Sequence, residues 1–377
     1  MASNSLPNTM KALILEEPGK PLKLTTVPVP TPTHGSVVIK ILATAADPGI
    51  QNILAGRVFT LPKNLIPGGR AVGRVAAVGP DTTSLAEGQL VTTEPFIRAR
   101  DDPDKVQILW GVFDGPSPES KKFTQDNWAH ATFAEYCRAP LENCYPLNEK
   151  ALCGSPSDGG LGYQPEDLLV LSRQIVAYGG LRGIGLQPGE TVIVAPATGS
   201  FSGSAVQVAV AMGAKVIAFS RNREVMKRLQ AAQPAGRVEI VVNTGDVERD
   251  TAALKEYGPV DAYIDISPFA AQKSTHIRSA IKAVKPYGRV SLMGVIPVDV
   301  PVPYDHAVWN NLTIRGQYMY EREDMRSLIK MAETGVLPLG KSGGHEVKGR
   351  FGFDEFEKAI EVATAFPEAG NVVIFTP

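Results

Sequence analysis

The chain has 377 residues, of which 44% are apolar, so it is long enough to bury the cores of one large or two medium globular domains. Lysine and arginine (38) nearly balance aspartate and glutamate (39), which argues against a nucleic acid or an anionic membrane surface as partner. The three cysteines match neither a disulfide framework nor a metal clamp. The first residues, "MASNSLPNTMKALIL", contain no long apolar stretch and no arginine-rich run, and no segment of the sequence approaches about 18 consecutive apolar residues. We therefore expect a two-domain cytoplasmic protein without nucleic-acid or membrane partners.

Short strands broken by proline and glycine fill the first part of the chain, among them "KALILEE", "GSVVIKILATAA" and "RAVGRVAAVG". Several such strands at close spacing are typical of a barrel-like antiparallel domain, which we expect to span residues 1–165. A polar segment from Arg98 to His130 interrupts this pattern. We interpret it either as a lid or as a surface loop, and its Trp110 shapes a hydrophobic substrate pocket if the loop folds inward.

Helical and strand patterns alternate from residue 166 to residue 315. The strands are continuous apolar runs, of the kind that is buried on both faces: "TVIVAP", "KVIAFS", "EIVVN", "AYIDI", "RVSLMGV" and "LTIRGQY". This alternation predicts an α/β domain with a doubly wound parallel sheet. The pattern is mixed again from 316 to 377, and it ends in the apolar strand "NVVIFT", for which we expect a partner strand in the first domain.

The first two strands of the α/β domain flank a turn of the kind that binds dinucleotides. The strand "TVIVAP" leads through Ala197–Gly203 into the helix "SAVQVAVAMGA", which brings free backbone N–H groups and the positive end of the helix dipole together. We expect Gly199 to let the backbone approach the phosphates, with Ser200 and Phe201 beside it. Ser202 replaces the usual third glycine, and its hydroxyl either donates to a phosphate or fills the contact between helix and strand.

The second strand ends at Ser220, Arg221 and Asn222 rather than at a carboxylate. Asp or Glu at this point would hold the ribose 2′-OH of NAD and would repel a 2′-phosphate, whereas a hydroxyl and a guanidinium bind a phosphate. These residues therefore favour NADP(H) as the cofactor. In the alternative interpretation, Arg221 is only a solvated residue at the start of a helix.

In this order, the β domain, the dinucleotide-binding domain and the returning C-terminal segment resemble the medium-chain dehydrogenase/reductase superfamily. The matching stretches cover nearly the whole chain: "IPGGRAVGRVAAVG", "TFAEYCRAPLENCYPL", "GLQPGETVIVAPATGSFSGSAVQVAVAMGAKVIA", "PVDAYIDIS", "VKPYGRVSLMGV" and "NNLTIRGQYMYERED". The resemblance implies a GroES-like β-rich catalytic domain, a Rossmann domain and a cofactor cleft between them. It also implies a homodimer paired through the last Rossmann strands, near "VIPVDVPVPY". The residues that it places near the cofactor are Tyr178, Ser267, Gly294, Val295, Ile296, Gly370 and Asn371, with the backbone at 294–296 facing the nicotinamide.

The chain departs from the zinc-binding members of this superfamily at the expected metal positions. Thr44 stands near the position of the first cysteine ligand, Gly69 and Arg70 replace a His-Glu pair, and Ser172 stands near the next cysteine. Stable zinc binding needs four nitrogen, sulfur or carboxylate ligands, or three with a water. We therefore predict that no metal is bound.

Without a metal, a plain alcohol or ketone is not polarised for hydride transfer, whereas an enone or quinone needs only hydrogen bonds and a proton. The loop "AADPGIQ" also resembles that of the zinc-free quinone and enoyl reductases, although Gly49 replaces the tyrosine often found there. The prediction is an oxidoreductase that reduces an activated C=C bond of a small molecule, such as a specialised metabolite. Two alternatives remain: a zinc-free reductase of an activated carbonyl or iminium carbon, and a cofactor-binding protein without turnover.

Three side chains are candidates for the substrate site. Tyr320 is a proton donor or oxyanion binder, or a tyrosine packed between the domains. Arg70 binds an anionic or carbonyl group of the substrate, or forms a structural ion pair. Asp47 lines the floor of the cleft, or caps the helix that starts at "PGIQNILAG".

Overall fold

The computed structural model describes residues 6–377 and divides them into two compact units. The first unit consists of residues 6–172 together with Val347–Phe366 and Val372–Pro377. The second unit consists of Arg173–Glu346 together with Pro367–Asn371. Each unit therefore combines a long stretch of chain with shorter pieces from near the C-terminus.

The strands and helices follow one another along the whole of the described chain. The strands are β1 (Thr9–Ile14), β2 (Lys23–Pro28), β3 (Ser36–Ala45), β4 (Ala71–Val78), β5 (Leu90–Thr93), β6 (Phe96–Arg98), β7 (Gln107–Leu109), β8 (Tyr136–Pro140), β9 (Cys144–Pro146), β10 (Thr191–Ala195), β11 (Lys215–Ser220), β12 (Val238–Val242), β13 (Val260–Asp265), β14 (Val284–Leu292), β15 (Thr313–Gly316), β16 (Glu346–Phe351) and β17 (Asn371–Phe375). The α-helices are α1 (Ile50–Leu54), α2 (Pro118–Phe123), α3 (Glu149–Cys153), α4 (Leu171–Gly183), α5 (Ser200–Ala211), α6 (Arg223–Ala231), α7 (Val247–Lys255), α8 (His276–Ala283), α9 (Tyr304–Trp309), α10 (Arg322–Glu333) and α11 (Phe356–Ala365). Among residues 6–377, no helix has both the length and the apolar character that a membrane crossing requires.

An antiparallel sheet forms the centre of the first unit. Its strand order is β16-β17-β3-β4-β5-β9, and β8 also pairs with β3. The final strand lies beside β3, where Ile374 is opposite Ala45, so the prediction of a partner strand in the first domain is confirmed. The predicted GroES-like, β-rich fold is confirmed as well.

The polar segment after Arg98 folds as part of the first unit. It contributes β7, α2 and a π-helical turn, and β6 pairs with β7 in a hairpin. Trp110 is fully buried among Ile97 and Ile108, and its indole N–H donates to the carbonyl of His130 at 3.1 Å. Because the only polar atom of this side chain already has a partner inside the protein, the structure places Trp110 in the core rather than in a substrate pocket.

A parallel six-stranded sheet forms the centre of the second unit, in the order β12-β11-β10-β13-β14-β15. The strands β10, β11 and β13 are almost wholly buried, as their continuous apolar runs predicted. Chain order reverses between β10 and β13, and this reversal is where open α/β sheets bind ligands beyond their carboxyl ends. The predicted Rossmann fold is confirmed. The second unit extends to Glu346, beyond the boundary at residue 316 that the sequence suggested, because α10 packs within it.

The segment expected to pair two copies follows β14. Residues 295–304 contain no strand, and Val295, Val298, Val302 and Tyr304 expose much of their apolar side chains. The homodimer therefore stays a prediction.

Candidate functional site

The predicted phosphate turn lies at the carboxyl end of β10 and leads directly into α5. Gly199 precedes the helix with an extended backbone, and Ser200, Phe201 and Ser202 form the first helical turn. The N–H of Gly199 donates to Ser202 Oγ at 3.2 Å, and Ser202 is 2% exposed. The Ser202 hydroxyl thus satisfies one of the free N–H groups at the start of the helix.

Gly203 takes over the close packing that the third glycine of such turns provides. A Cβ atom at this position would collide with the Cβ of Ala369. The segment Pro367–Asn371 lies against the turn. The N–H of Ala369 donates to the carbonyl of Thr198 at 3.0 Å, and the backbones of Glu368 and Gly199 form an isolated antiparallel β-bridge. This contact could not be predicted from the sequence, because nothing local connects residues about 170 positions apart.

The end of β11 presents a short row of polar side chains. Ser220 is buried, and its Oγ lies 2.8 Å from Thr198 Oγ1 in the phosphate turn. Asn222 caps α6 by accepting the N–H of Val225 at 3.2 Å, whereas the side chain of Arg221 is exposed to solvent. Asn222 therefore has a structural role, and Arg221 is free to reach a ligand. Thr198 was not singled out from the sequence, although its place within the turn was a signal.

The segment assigned to the nicotinamide follows β14 and runs beside the end of β13. The N–H of Val295 donates to the carbonyl of Ser267 at 2.8 Å. A Cβ at Gly294 would lie 3.0 Å from the Cβ of Ser267, so the backbones approach closely there. The structure thus brings Ser267, Gly294 and Val295 together, and Ile296 follows in the same loop.

Two tyrosines lie near α4. Tyr178 is on this helix and is 8% exposed, and Tyr320, 4% exposed, packs against Gly179. A Cβ at Gly179 would be 2.6 Å from the Cβ of Tyr320, so glycine is needed for this contact. Tyr318 is far more accessible at 53%, and partial burial of its phenol raises its pKa to about 12.

Asn371 is buried at the end of the segment that covers the phosphate turn. Its carbonyl accepts from Arg173 Nη1 at 2.9 Å, and its side-chain amide donates to Glu368 at 3.2 Å. The preceding Gly370 has φ +86°, a conformation that favours glycine. These contacts hold the covering segment in place within the second unit.

Arg70 and Asp47 form an ion pair in the first unit, and both side chains are mostly buried. The helix-capping role considered for Asp47 is wrong, because α1 starts after Gly49, whose φ is +84°, and no side chain caps it. The backbone of Arg70 has a contact of its own: Thr44 Oγ1 donates to the carbonyl of Arg70 at 2.6 Å and lies 3.0 Å from Thr132 Oγ1. The backbone of Arg70 is therefore fixed by hydroxyl groups and its side chain by a carboxylate.

The side chains at the expected zinc positions do not fit a zinc ion. They are the hydroxyls of Thr44 and Ser172 and the guanidinium of Arg70, none of which is a zinc ligand of the usual kind. Ser172 Oγ donates to the carbonyl of Leu169 at 2.7 Å. Across residues 6–377, no group of three or more His, Cys, Asp or Glu side chains is placed to hold a metal ion.

Two family descriptions match the chain. The "Alcohol dehydrogenase GroES-like domain" matches residues 33–149, and the "Zinc-binding dehydrogenase" domain matches residues 203–334. An alcohol dehydrogenase of Geobacillus stearothermophilus is 27% identical over 339 residues, which cover 87% of this chain and 90% of that protein. The two matched domains thus correspond to the first part of the first unit and to most of the second.

Solved structures share the same fold. A zinc-binding dehydrogenase of Sinorhizobium meliloti bound to NADP has a TM-score of 0.76 at 18% identity, with 98% of this chain and 100% of that chain covered. An alcohol dehydrogenase of E. coli in complex with NADH has a TM-score of 0.77 at 18% identity over the same shares of both chains. At this level of identity the likeness establishes the architecture only.

We expect Ser202→Ala to lower the free energy of unfolding by about 1 kcal/mol, because the Gly199 N–H loses its buried acceptor. The measurement is chemical denaturation of the purified protein. Ser200→Ala is the matched control, because the Ser200 side chain carries no such cap and its loss should change stability by less than about 0.5 kcal/mol. Equal effects of the two substitutions would show that Ser202 does not cap the helix.

Proposed function

Because the chain belongs to the medium-chain dehydrogenase/reductase superfamily and is thus an oxidoreductase with a nicotinamide cofactor, we propose that it is an NADPH-dependent, zinc-independent reductase. Its substrate is a small organic molecule with an activated C=C bond, such as an enone or a quinone. The observation that carries this proposal is the ion pair between Arg70 and Asp47, because Arg70 takes the place of one residue of the superfamily's His-Glu metal-binding pair.

The ion pair holds the guanidinium of Arg70 in a fixed orientation without a metal. The Arg70 side chain is 13% exposed and that of Asp47 is 16% exposed, so the guanidinium is held in a largely desolvated place. A pre-oriented cation of this kind stabilises negative charge that develops on a substrate oxygen, as on the enolate of a reduced enone. In this proposal Arg70 contacts the substrate oxygen, and Asp47 orients Arg70 and balances its charge.

The cofactor is held by the second unit. The first turn of α5, with Ser200 to Ser202 after Gly199, offers backbone N–H groups to the pyrophosphate, and Ser220 and Arg221 receive the 2′-phosphate. When bound, NADPH supplies a hydride to the β carbon of the substrate. The loop around Gly294, Val295 and Ile296 is proposed to contact the nicotinamide, with Tyr178, Ser267 and Asn371 nearby.

A tyrosine is the proposed proton source. Tyr320 is the candidate from the sequence, but its 4% exposure leaves little of it open to a substrate. Tyr318 is 53% exposed, so its side chain is open to a substrate. Accessibility therefore favours Tyr318 as the donor, with Tyr320 as the packed neighbour that supports this part of the chain.

The ion pair also bears on the alternative functions. The N–H groups of Arg70 can donate to the oxygen of an enone or quinone, whereas an iminium ion offers them no acceptor atom. A plain ketone lacks the conjugation that makes hydride addition possible without a Lewis acid. A cofactor-binding protein without turnover would have no need of a desolvated cation, so the C=C reductase is preferred.

Incubation of the protein with NADPH and matched acceptors tests the reaction class. We expect oxidation of NADPH with an enone and a quinone, saturated products, and little turnover of the corresponding ketone or iminium ion. Arg70→Met should lower kcat for the enone by about a hundredfold and leave NADPH binding unchanged, because the contact to the developing oxyanion is lost while the residues proposed to bind the cofactor are untouched. Preferred reduction of the C=O or C=N group would contradict the proposal, and tight NADPH binding without any turnover would favour the non-redox alternative.

Arg221→Ala should weaken NADPH binding by about ten- to a hundredfold and leave NADH binding within about twofold, because charge-assisted bonds to the 2′-phosphate are lost. Titration of the nicotinamide fluorescence measures both dissociation constants. Arg326→Ala, which removes the same charge from the exposed side of α10, is the matched control. An equal loss of affinity for NADPH and NADH would contradict the proposal that Arg221 binds the 2′-phosphate.

Metal analysis of the protein purified in the presence of zinc should find well under one zinc per chain, because the hydroxyls and the guanidinium at the expected positions are poor zinc ligands. Treatment with a chelator should leave NADPH oxidation unchanged. A stoichiometric zinc whose removal abolishes turnover would overturn the metal-free mechanism.

A further inference from the structure

A buried polar cluster lies at the carboxyl end of β13, and of its members only Ser267 belongs to the site described above. It consists of Asp265, Ser267 and His276, each 2% exposed. Asp265 ends β13 and His276 begins α8, so the cluster links the sheet to the helix that packs beside it. The phenol of Tyr263 and the hydroxyl of Ser274 complete it from either side.

Asp265 Oδ1 is the acceptor at the centre of the cluster. It accepts from Ser267 Oγ at 2.5 Å and from the Tyr263 hydroxyl at 3.1 Å. His276 Nε2 lies 3.2 Å from the same oxygen and 2.8 Å from Ser267 Oγ. Because a carboxylate offers no hydrogen, Nε2 carries the proton and donates it towards Asp265. On its other side, His276 Nδ1 lies 2.6 Å from Ser274 Oγ.

This arrangement excludes a nucleophilic serine. In a Ser-His-Asp triad, the serine and the aspartate contact different nitrogens of the imidazole. Here both contact Nε2, and the Ser267 hydroxyl donates to Asp265 rather than to the histidine. The cluster therefore has a structural role, and its effect on function depends on which part of the backbone it fixes.

The cluster holds the loop that follows β14. The N–H of Met293 donates to the carbonyl of Asp265 at 2.9 Å, and the N–H of Val295 donates to the carbonyl of Ser267 at 2.8 Å. Between them, Gly294 passes so close that a Cβ atom would lie 2.6 Å from Asp265 Oδ2. The backbone at 293–295 is thus bonded directly to the two residues that His276 fixes.

We propose that His276 is a positioning residue for the nicotinamide end of the cofactor. Through Asp265 and Ser267 it sets the path of the backbone from Met293 to Val295, and it makes no contact with the cofactor itself. This inference rests on the proposed NADPH function. A buried polar network whose members are all satisfied is rigid and specifies one geometry, whereas loss of one donor leaves the carboxylate to turn or to take up water.

The phosphate end of the cofactor site does not depend on this cluster. The turn at Gly199 follows β10, and Ser220 and Arg221 follow β11, and their hydrogen bonds involve neither Asp265 nor His276. Loss of His276 should therefore affect ligands that carry a nicotinamide and spare those that lack one. A general loss of stability would affect both kinds of ligand alike.

The experiment compares two ligands in the full-length protein. NADPH carries the nicotinamide, and 2′,5′-ADP carries only the adenosine and the 2′-phosphate. His276→Phe, which keeps a planar ring without a donor, should weaken NADPH binding by about tenfold and change 2′,5′-ADP binding by less than about twofold. His276→Gln, whose amide can donate from nearly the position of Nε2, should restore most of the NADPH affinity.

Two further variants keep the test decisive if His276→Phe does not fold. Ser267→Ala removes a single oxygen from the cluster and should show the same difference between the two ligands. His306→Phe, a change of a histidine in α9 outside the cluster, should leave both affinities unchanged.

Parallel loss of both ligands in the cluster variants, or no loss of NADPH affinity in any of them, would overturn the positioning role. A wild-type protein that binds 2′,5′-ADP and NADPH no more tightly than AMP and NADH would instead overturn the proposed cofactor. The two failures are therefore distinguishable.

Discussion

The pairing of backbone groups along a buried parallel sheet is the constraint on which the second unit depends. Inside the sheet, β10, β11 and β13 pair with parallel neighbours on both sides, so the ladder hydrogen bonds occupy their backbone N–H and C=O groups. Backbone groups become available only where the strands end. For this reason the turn at Gly199, the pair Ser220-Arg221 and the loop at Gly294 all lie at the carboxyl ends of strands.

The same constraint explains which parts of the site could be predicted from the sequence. Continuous apolar runs located the strands, and the residue after each run is necessarily at the edge of the sheet, so the phosphate turn and Ser220 followed directly. The contact of Ala369 with Gly203 did not follow, because it joins elements that are close only after folding. The cluster of Asp265 and His276 escaped for a related reason. The sequence around a histidine at the start of a helix does not show whether the side chain is exposed or is buried and hydrogen-bonded to a carboxylate.

In the first unit, local sequence signals were weaker and led to two misinterpretations. An Asp-Pro pair before a helix favours a cap at Asp47. In the structure, however, α1 begins only after Gly49, which has a left-handed conformation, and the carboxylate of Asp47 forms an ion pair with Arg70. Trp110 sits in a stretch rich in charge, yet the two short strands around it turn their apolar residues inward and bury the indole. In both cases a long-range partner, an arginine or a core, outweighed the preference of neighbouring residues.

Arg70 and His276 illustrate two different uses of a buried charge or polar group. A desolvated ion pair contributes little net stability, since the cost of taking both charges out of water offsets much of their attraction. The substrate contact proposed for Arg70 would give such a pair a use other than folding stability. The cluster at His276 is closed on every described side, and its hydrogen bonds are satisfied from within the protein. Such a cluster has no group left to bind a ligand, but it can fix the backbone segment that is proposed to contact the ligand. In the two proposals, the cofactor-binding groups lie at the carboxyl ends of β10, β11 and β14, and the groups that position the last of these lie beside it at the carboxyl end of β13.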